Sequence, residues 1–229
     1  MPQPLGPDAL AKLRTYTTPT LSNAIETFNV RPKNAGFTTG RVRCLFPDLG
    51  PMVGYAVTAT CRAGTAPPPD ATARRAALWR AIETVPAPRV VVIQDLDDPP
   101  GIGAFWGEVQ STIHHALGCV GTVTNGGVRD LDEVRALGFH FFAGSVVVSR
   151  AYVHLVGVGD PVEVDGLPVR PGDLLHADQH GVVSIPHEIA GRLDDAVERV
   201  NRSEQEILAY CRRPDFTREG LEAIYLKRR

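Results

Sequence analysis

Behind Thr18-Pro19-Thr20, apolar residues recur at helical spacing, with Leu21, Ala24, Ile25 and Phe28 falling on one face. The spacing predicts an amphipathic helix with Thr18 as its cap and Pro19 in the first helical position, where a missing N–H costs nothing. From Asn29 to Pro51 the period is lost among Gly and Pro residues, and the stretch reads as a long connection. Met52 to Thr60 has the apolar, β-branched content of a strand. Pro67-Pro68-Pro69 interrupts the chain, and Ala77, Leu78, Ala81, Ile82 and Val85 then mark the buried stripe of a second helix.

From Arg89 the pattern alternates between strand and helix. Val90 to Ile93 is a short apolar run, as in a strand buried on both faces. Asp95 to Phe105 reads as a loop, Trp106 to Leu117 as a helix closed by Gly118, and Cys119 to Thr124 as the next strand. Asn125-Gly126-Gly127 is expected to turn the chain into a helix beginning near Asp130. Short strands with Gly-Asp, Asp-Gly and Pro-Gly turns fill Phe139 to Pro186, and helices follow over roughly His187 to Cys211 and Thr217 to Leu226. The expected fold is a single α/β domain over residues 1–229, layered with mixed sheets, carrying a C-terminal helical extension from about residue 187.

Composition narrows the function classes. Of 229 residues 43% are hydrophobic and the formal net charge is −2, so one sizeable core fits and no basic footprint for nucleic acid or anionic membrane stands out. The basic residues are dispersed apart from Lys227-Arg228-Arg229. Cys44, Cys61, Cys119 and Cys211 form no C-x-x-C pair, which suits a reduced cytoplasmic setting, and no apolar run approaches the roughly 18 residues of a spanning helix.

Two segments carry candidate chemistry. In Gly126-Gly127-Val128-Arg129-Asp130-Leu131-Asp132-Glu133, Asp130 and Glu133 have the spacing of a capping box, a purely structural role. Arg129 is left over: a permanent bidentate cation suits a carboxylate, and an adjacent Asp supplies a hard oxygen to Mg²⁺ or Mn²⁺. Glu108, in Trp106-Gly107-Glu108-Val109-Gln110, lies 21 positions before Arg129, one helix and one strand away, where parallel-sheet geometry sets the two loops side by side. Glu108 could hold water or act as acid/base, and the N–H groups of Glu108, Val109 and Gln110 could receive a substrate carboxylate.

Gly107-Glu108, twenty intervening residues, then Arg129-Asp130-x-x-Glu133 resembles the signature of the RraA-like family, which includes the class II 4-hydroxy-4-methyl-2-oxoglutarate / 4-carboxy-4-hydroxy-2-oxoadipate aldolases. Thr18 to Ala24, Gly54 to Thr58, Pro171 to Leu174 and Ala177 to Val183 extend the resemblance along the chain in matching order. It implies an α-β-β-α fold of the swivelling β/β/α type, assembled as homotrimers or homohexamers with sites between subunits. The implied reaction is cleavage of a 4-hydroxy-2-oxo diacid to pyruvate or a similar 2-oxo acid, with oxaloacetate decarboxylation as a second activity.

Carried onto this sequence, the resemblance implies that Asp130 binds the divalent metal, Arg129 engages the substrate and Glu108 acts through water on the metal. The turn Gly107-Glu108-Val109-Gln110 would receive the pyruvate carboxylate. Asn125 and Asn23 depart from acidic residues common in relatives, and Glu204, Glu206, Glu219 or Glu222 could serve a neighbouring subunit's site. The family also holds regulators that bind ribonuclease E; in those the residue after the Arg is typically not acidic, so Asp130 favours the enzyme.

Other signals carry less weight. Gly101-x-Gly103-x-x-x-Gly107 lacks the tight strand-to-helix turn of a dinucleotide site. His114 and His115 point apart on a helix and are expected at solvent or subunit contacts, His176 and His180, flanking Asp178, in turn hydrogen bonds or near a site, and Trp79 and Trp106 in packing.

Overall fold

The computed structural model describes residues 3–226; the basic Lys227-Arg228-Arg229 cluster lies outside them. Helices α1 (Pro7–Leu13) and α2 (Thr18–Glu26) precede strands β1 (Arg43–Cys44) and β2 (Met52–Arg62). Helix α3 (Ala71–Glu83), strands β3 (Arg89–Asp95) and β4 (Ala104–Trp106), helix α4 (Glu108–Ala116), strand β5 (Cys119–Val128), helix α5 (Leu131–Leu137) and strand β6 (His140–Val146) follow. The remainder comprises β7 (His154–Val158), β8 (Val162–Val164), β9 (Leu167–Val169), β10 (Leu174–Asp178) and β11 (Gly181–Ile185), then α6 (His187–Ala190), α7 (Leu193–Cys211) and α8 (Arg218–Leu226).

Nine strands form one mixed sheet in the order β1-β6-β5-β3-β2-β10-β11, with β4 added along β5 and β7 along β2. Its centre, β6-β5-β3-β2, is parallel, and the flanking pairs are antiparallel. Alternation along β3 shows why this strand is apolar throughout: Val91 and Ile93 join the core under the helices, whereas Val90 and Val92 face Val162, Val164, Leu167 and Val169 of the β8–β9 hairpin. All four β3 residues are fully buried, and each such side chain contributes roughly 1.5–3 kcal/mol relative to exposure. Helices, sheet and hairpin are thus the layers of an α/β fold.

Local chemistry shifts several expected boundaries. The cap of α2 is Thr17, whose hydroxyl accepts the Thr20 N–H at 3.3 Å. Thr18 is instead buried, donating its N–H to Asp178 and bonding His176 Nδ1, each at 2.9 Å. Asn125-Gly126-Gly127 is no turn: β5 runs through it to Val128. The Asn125 amide accepts the Asp95 N–H at 2.7 Å and donates to the Asp95 carbonyl at 2.9 Å, stapling β3 to β5 where the β5–β6 register slips. An acidic residue there would lack the donor. Trp106 belongs to β4 rather than to the following helix, and Trp79 sits at the surface with 36% exposure.

Candidate functional site

The short strand β4 builds the site. It pairs in parallel with the end of β5, Ala104 opposite Gly127 and Trp106 opposite Val128, and the Arg129 N–H donates to the Trp106 carbonyl at 3.1 Å. The two chain reversals that follow, Gly107-Glu108 and Arg129-Asp130, therefore emerge together at the carboxyl ends of adjacent parallel strands, where open α/β sheets hold ligands.

Asp130 precedes α5 in the left-handed conformation, φ 56° and ψ 50°, and makes no side-chain hydrogen bond to its own helix. The capping-box expectation fails for that reason: the carboxylate points across to α4, where Oδ2 accepts the Glu108 N–H at 3.0 Å and lies 3.6 Å from Arg129 Nε. A left-handed non-glycine residue costs about 1–2 kcal/mol, least for Asp and Asn. Gly107 makes the approach possible, since a Cβ there would stand 2.4 Å from Asp130 Oδ2.

Around this carboxylate lies a cleft of about 200 Å³, lined among others by Arg75, Gly107, Gln110, Arg129, Asp130 and Arg150. In the first turn of α4 the Glu108 N–H is taken by Asp130, while the Val109 and Gln110 N–H groups have no protein acceptor among the described residues. These donors, at the positive end of a helix, can receive an anion. The Glu108 side chain is exposed and does not line the cleft, so what this residue brings directly to the carboxylate is its backbone. Two larger hollows, of about 460 and 530 Å³, lie elsewhere and lack Arg129 and Asp130, so the site is assigned by chemistry rather than volume.

The Asp130 donor set can be matched to a metal. Among the described residues Asp130 Oδ1 has no protein partner, and no three His, Cys, Asp or Glu side chains gather into a cage. One carboxylate with a free oxygen fits a small hard cation that keeps most of its waters, as Mg²⁺ does.

Behind the cleft, His114 is fully buried, contrary to the surface role expected for it, and its ring packs edge-on against Trp106 at 4.7 Å. Burial, with Arg75's charge adding, pushes its pKa down to about 4 despite the Gln110 carbonyl 2.7 Å from Nδ1, so it is neutral near pH 7. His115 is exposed. His180 hydrogen-bonds Asp178 within a turn, while His176 packs far along the chain against Thr18. Asn23 contacts Glu204, and Arg218 pairs with Glu219 and Glu222, all within this chain. Motif reasoning missed Arg75 and Arg150: neither sits in a recognisable pattern, and only the packing of α3 and the segment after β6 carries them to the cleft.

A sequence-family model described as Aldolase/RraA, RraA-like, matches residues 18–184. The chain belongs to the RraA-like family. A Halalkalibacterium halodurans protein provisionally named 4-hydroxy-4-methyl-2-oxoglutarate aldolase is 29% identical over 91 residues, 39% of this chain and 42% of that protein. Among solved structures, a Pseudomonas syringae pv. tomato protein superposes with a TM-score of 0.73 at 22% identity, covering 98% of this chain and 96% of its own. Streptomyces coelicolor RraAS2, described as an unusual member of the RNase ES inhibitor RraA family, gives 0.67 at 22% identity over 92% and 99% of the two chains. These likenesses show the fold. The chain spans about half or less of the length of the curated relatives it matches. No helix among the described residues is long and apolar enough to cross a membrane.

Proposed function

We propose that this protein is a divalent-metal-dependent lyase that cleaves a 4-hydroxy-2-oxo diacid to pyruvate or a similar 2-oxo acid, and that it decarboxylates oxaloacetate by the same chemistry. The observation that carries this reading is the Asp130 carboxylate, turned away from its own helix and held at the mouth of a cationic cleft. Mg²⁺ or Mn²⁺ held by Asp130 would supply positive charge for the enolate that forms as the carbon–carbon bond breaks. The Val109 and Gln110 N–H groups bind the carboxylate next to the reacting carbonyl, and Arg129 adds a bidentate, charge-assisted contact. Glu108, exposed at the rim, organises water for proton transfer.

The exposed apolar side chains of Ile102, Val109, Val146, Val148 and Tyr152 belong to β4, α4, β6 and the segments beside them, which also frame the cleft. They support assembly as a homotrimer or homohexamer with a neighbouring subunit closing the site. A purely regulatory, ribonuclease-binding role would give no reason to hold a carboxylate in a costly backbone conformation between α4 and Arg129. Exhaustive chelation should abolish cleavage of 4-hydroxy-2-oxo diacids and added Mg²⁺ or Mn²⁺ should restore it; full activity without metal would overturn the proposal.

A further inference from the structure

Arg75 has a setting that the proposed chemistry at Asp130 does not use. It projects from α3, and its guanidinium carbon lies 5.7 Å from the centre of the Phe105 ring. Among the described residues no carboxylate or carbonyl accepts a hydrogen bond from it, whereas its neighbour Arg74 is engaged by Asp70 and the Val156 carbonyl. The platform beneath Arg75 is firm: Phe105 is 6% exposed and packs edge-on against Trp106 at 5.3 Å and His114 at 6.3 Å. The cation–π contact with the ring leaves the Arg75 N–H groups without a protein acceptor among the described residues, open to an anion in the cleft. With Arg129 and Arg150, the cleft sets three guanidinium groups against the single carboxylate of Asp130. One substrate carboxylate does not exhaust that charge.

Building on the lyase reading, we propose that Arg75, held over Phe105, reads the substrate carboxylate farthest from the reacting carbonyl and makes the site selective for dicarboxylic over monocarboxylic 2-oxo acids. Direct titration in Mg²⁺ with 2-oxoglutarate and 2-oxopentanoate tests this, because the two differ only in the terminal carboxylate. Wild type should bind the diacid about 10- to 100-fold more tightly, the range of a charge-assisted hydrogen bond. Arg75→Ala and Arg75→Gln should bring that ratio towards one with little change for the monoacid, and Arg75→Lys should restore it only in part. No preference in wild type, a ratio unchanged in the Arg75 variants, or a ratio lost in Arg150→Ala but kept in Arg75→Ala would overturn the assignment. Metal-dependent exchange of pyruvate methyl protons reports separately on the lyase reading. Exchange with an unchanged ratio rejects Arg75 alone; a ratio that collapses without any exchange in wild type rejects the lyase and leaves a diacid-binding site.

Discussion

Replacing Gly107 with alanine isolates the placement of the Asp130 carboxylate. Gly107 has φ −168° and ψ −169°, an extended backbone that alanine adopts freely, so the substitution acts only through its added methyl. That methyl would meet Asp130 Oδ2 at 2.4 Å, Arg129 Cγ at 3.1 Å and Asp130 Cγ at 3.2 Å. Relieving the shortest contact requires a retreat of roughly 1 Å. The 3.0 Å bond from the Glu108 N–H does not survive that movement. A hydrogen bond to a charged group contributes about 1.5–3 kcal/mol, and at this exposed rim water recovers part of it. A loss of about 1–2 kcal/mol corresponds to a Tm lower by about 2–8 °C in a chain of this size. On the proposed chemistry the effect on reaction should be larger, because displacing the group that would hold the metal by about 1 Å costs on the order of 10²-fold. Thermal melts, Mg²⁺ titration and the rate of pyruvate methyl proton exchange, measured on one preparation, separate the two effects. A Gly107→Ala protein with lowered Tm but wild-type metal affinity and exchange would show that the placement of the Asp130 carboxylate does not govern metal binding.

Asp130→Asn should keep the left-handed backbone and an acceptor for the Glu108 N–H, so its Tm should stay within roughly 2 °C of wild type while its response to Mg²⁺ falls sharply; a large drop in Tm with unchanged metal response would contradict this. Burial opposes ionisation of Asp165, yet the Thr39 hydroxyl and the N–H groups of Val42, Arg41 and Gly40 outweigh it and hold its pKa below the ordinary carboxylate value. Its ionised form therefore stabilises the fold above about pH 4, and that contribution is lost as pH falls through the lowered pKa. Asp165→Asn should be less stable than wild type at pH 7 and should lose less on acidification, as read from urea midpoints; parallel profiles for the two proteins would show that Asp165 plays no part in the acid response.

How much of this was legible in the sequence depended on how local the signal was. Strand β3 announced itself through consecutive apolar residues, because a parallel strand buried on both faces has no polar side to show. The Glu108 and Arg129 segments were legible as neighbours from strand-helix spacing alone. The means of their convergence was not: β4 is only Ala104–Trp106, too short for a periodic signal, and Asn125-Gly126-Gly127 has the composition of a turn although the Asn125 amide, paired with the Asp95 backbone, keeps it in the sheet. His114 looked like a surface residue because nothing in its neighbours' identities says which face of α4 meets Trp106. Thr17 and Thr18 are equivalent as caps on paper; the tertiary pull of His176 and Asp178 on Thr18 decides between them. Arg75 required knowledge of how α3 packs, which no spacing rule supplies.

We predict that Asp130, Arg129 and the first turn of α4, acting with a divalent metal, stabilise the enolate of a 2-oxo acid. Proton NMR of pyruvate in deuterated buffer tests it without knowledge of the natural substrate. The wild-type protein with Mg²⁺ or Mn²⁺ should erase the methyl resonance by exchange, and chelation should stop it. Arg129→Ala should suppress exchange, with Arg129→Lys a poor rescue because a point charge cannot replace a bidentate fork. Glu108→Gln should slow exchange by about 10²–10⁴-fold if its carboxylate organises proton transfer. A methyl signal that persists at full intensity with metal present, or that disappears equally fast in the Arg129→Ala protein, would rule out enolate stabilisation at Asp130 and Arg129.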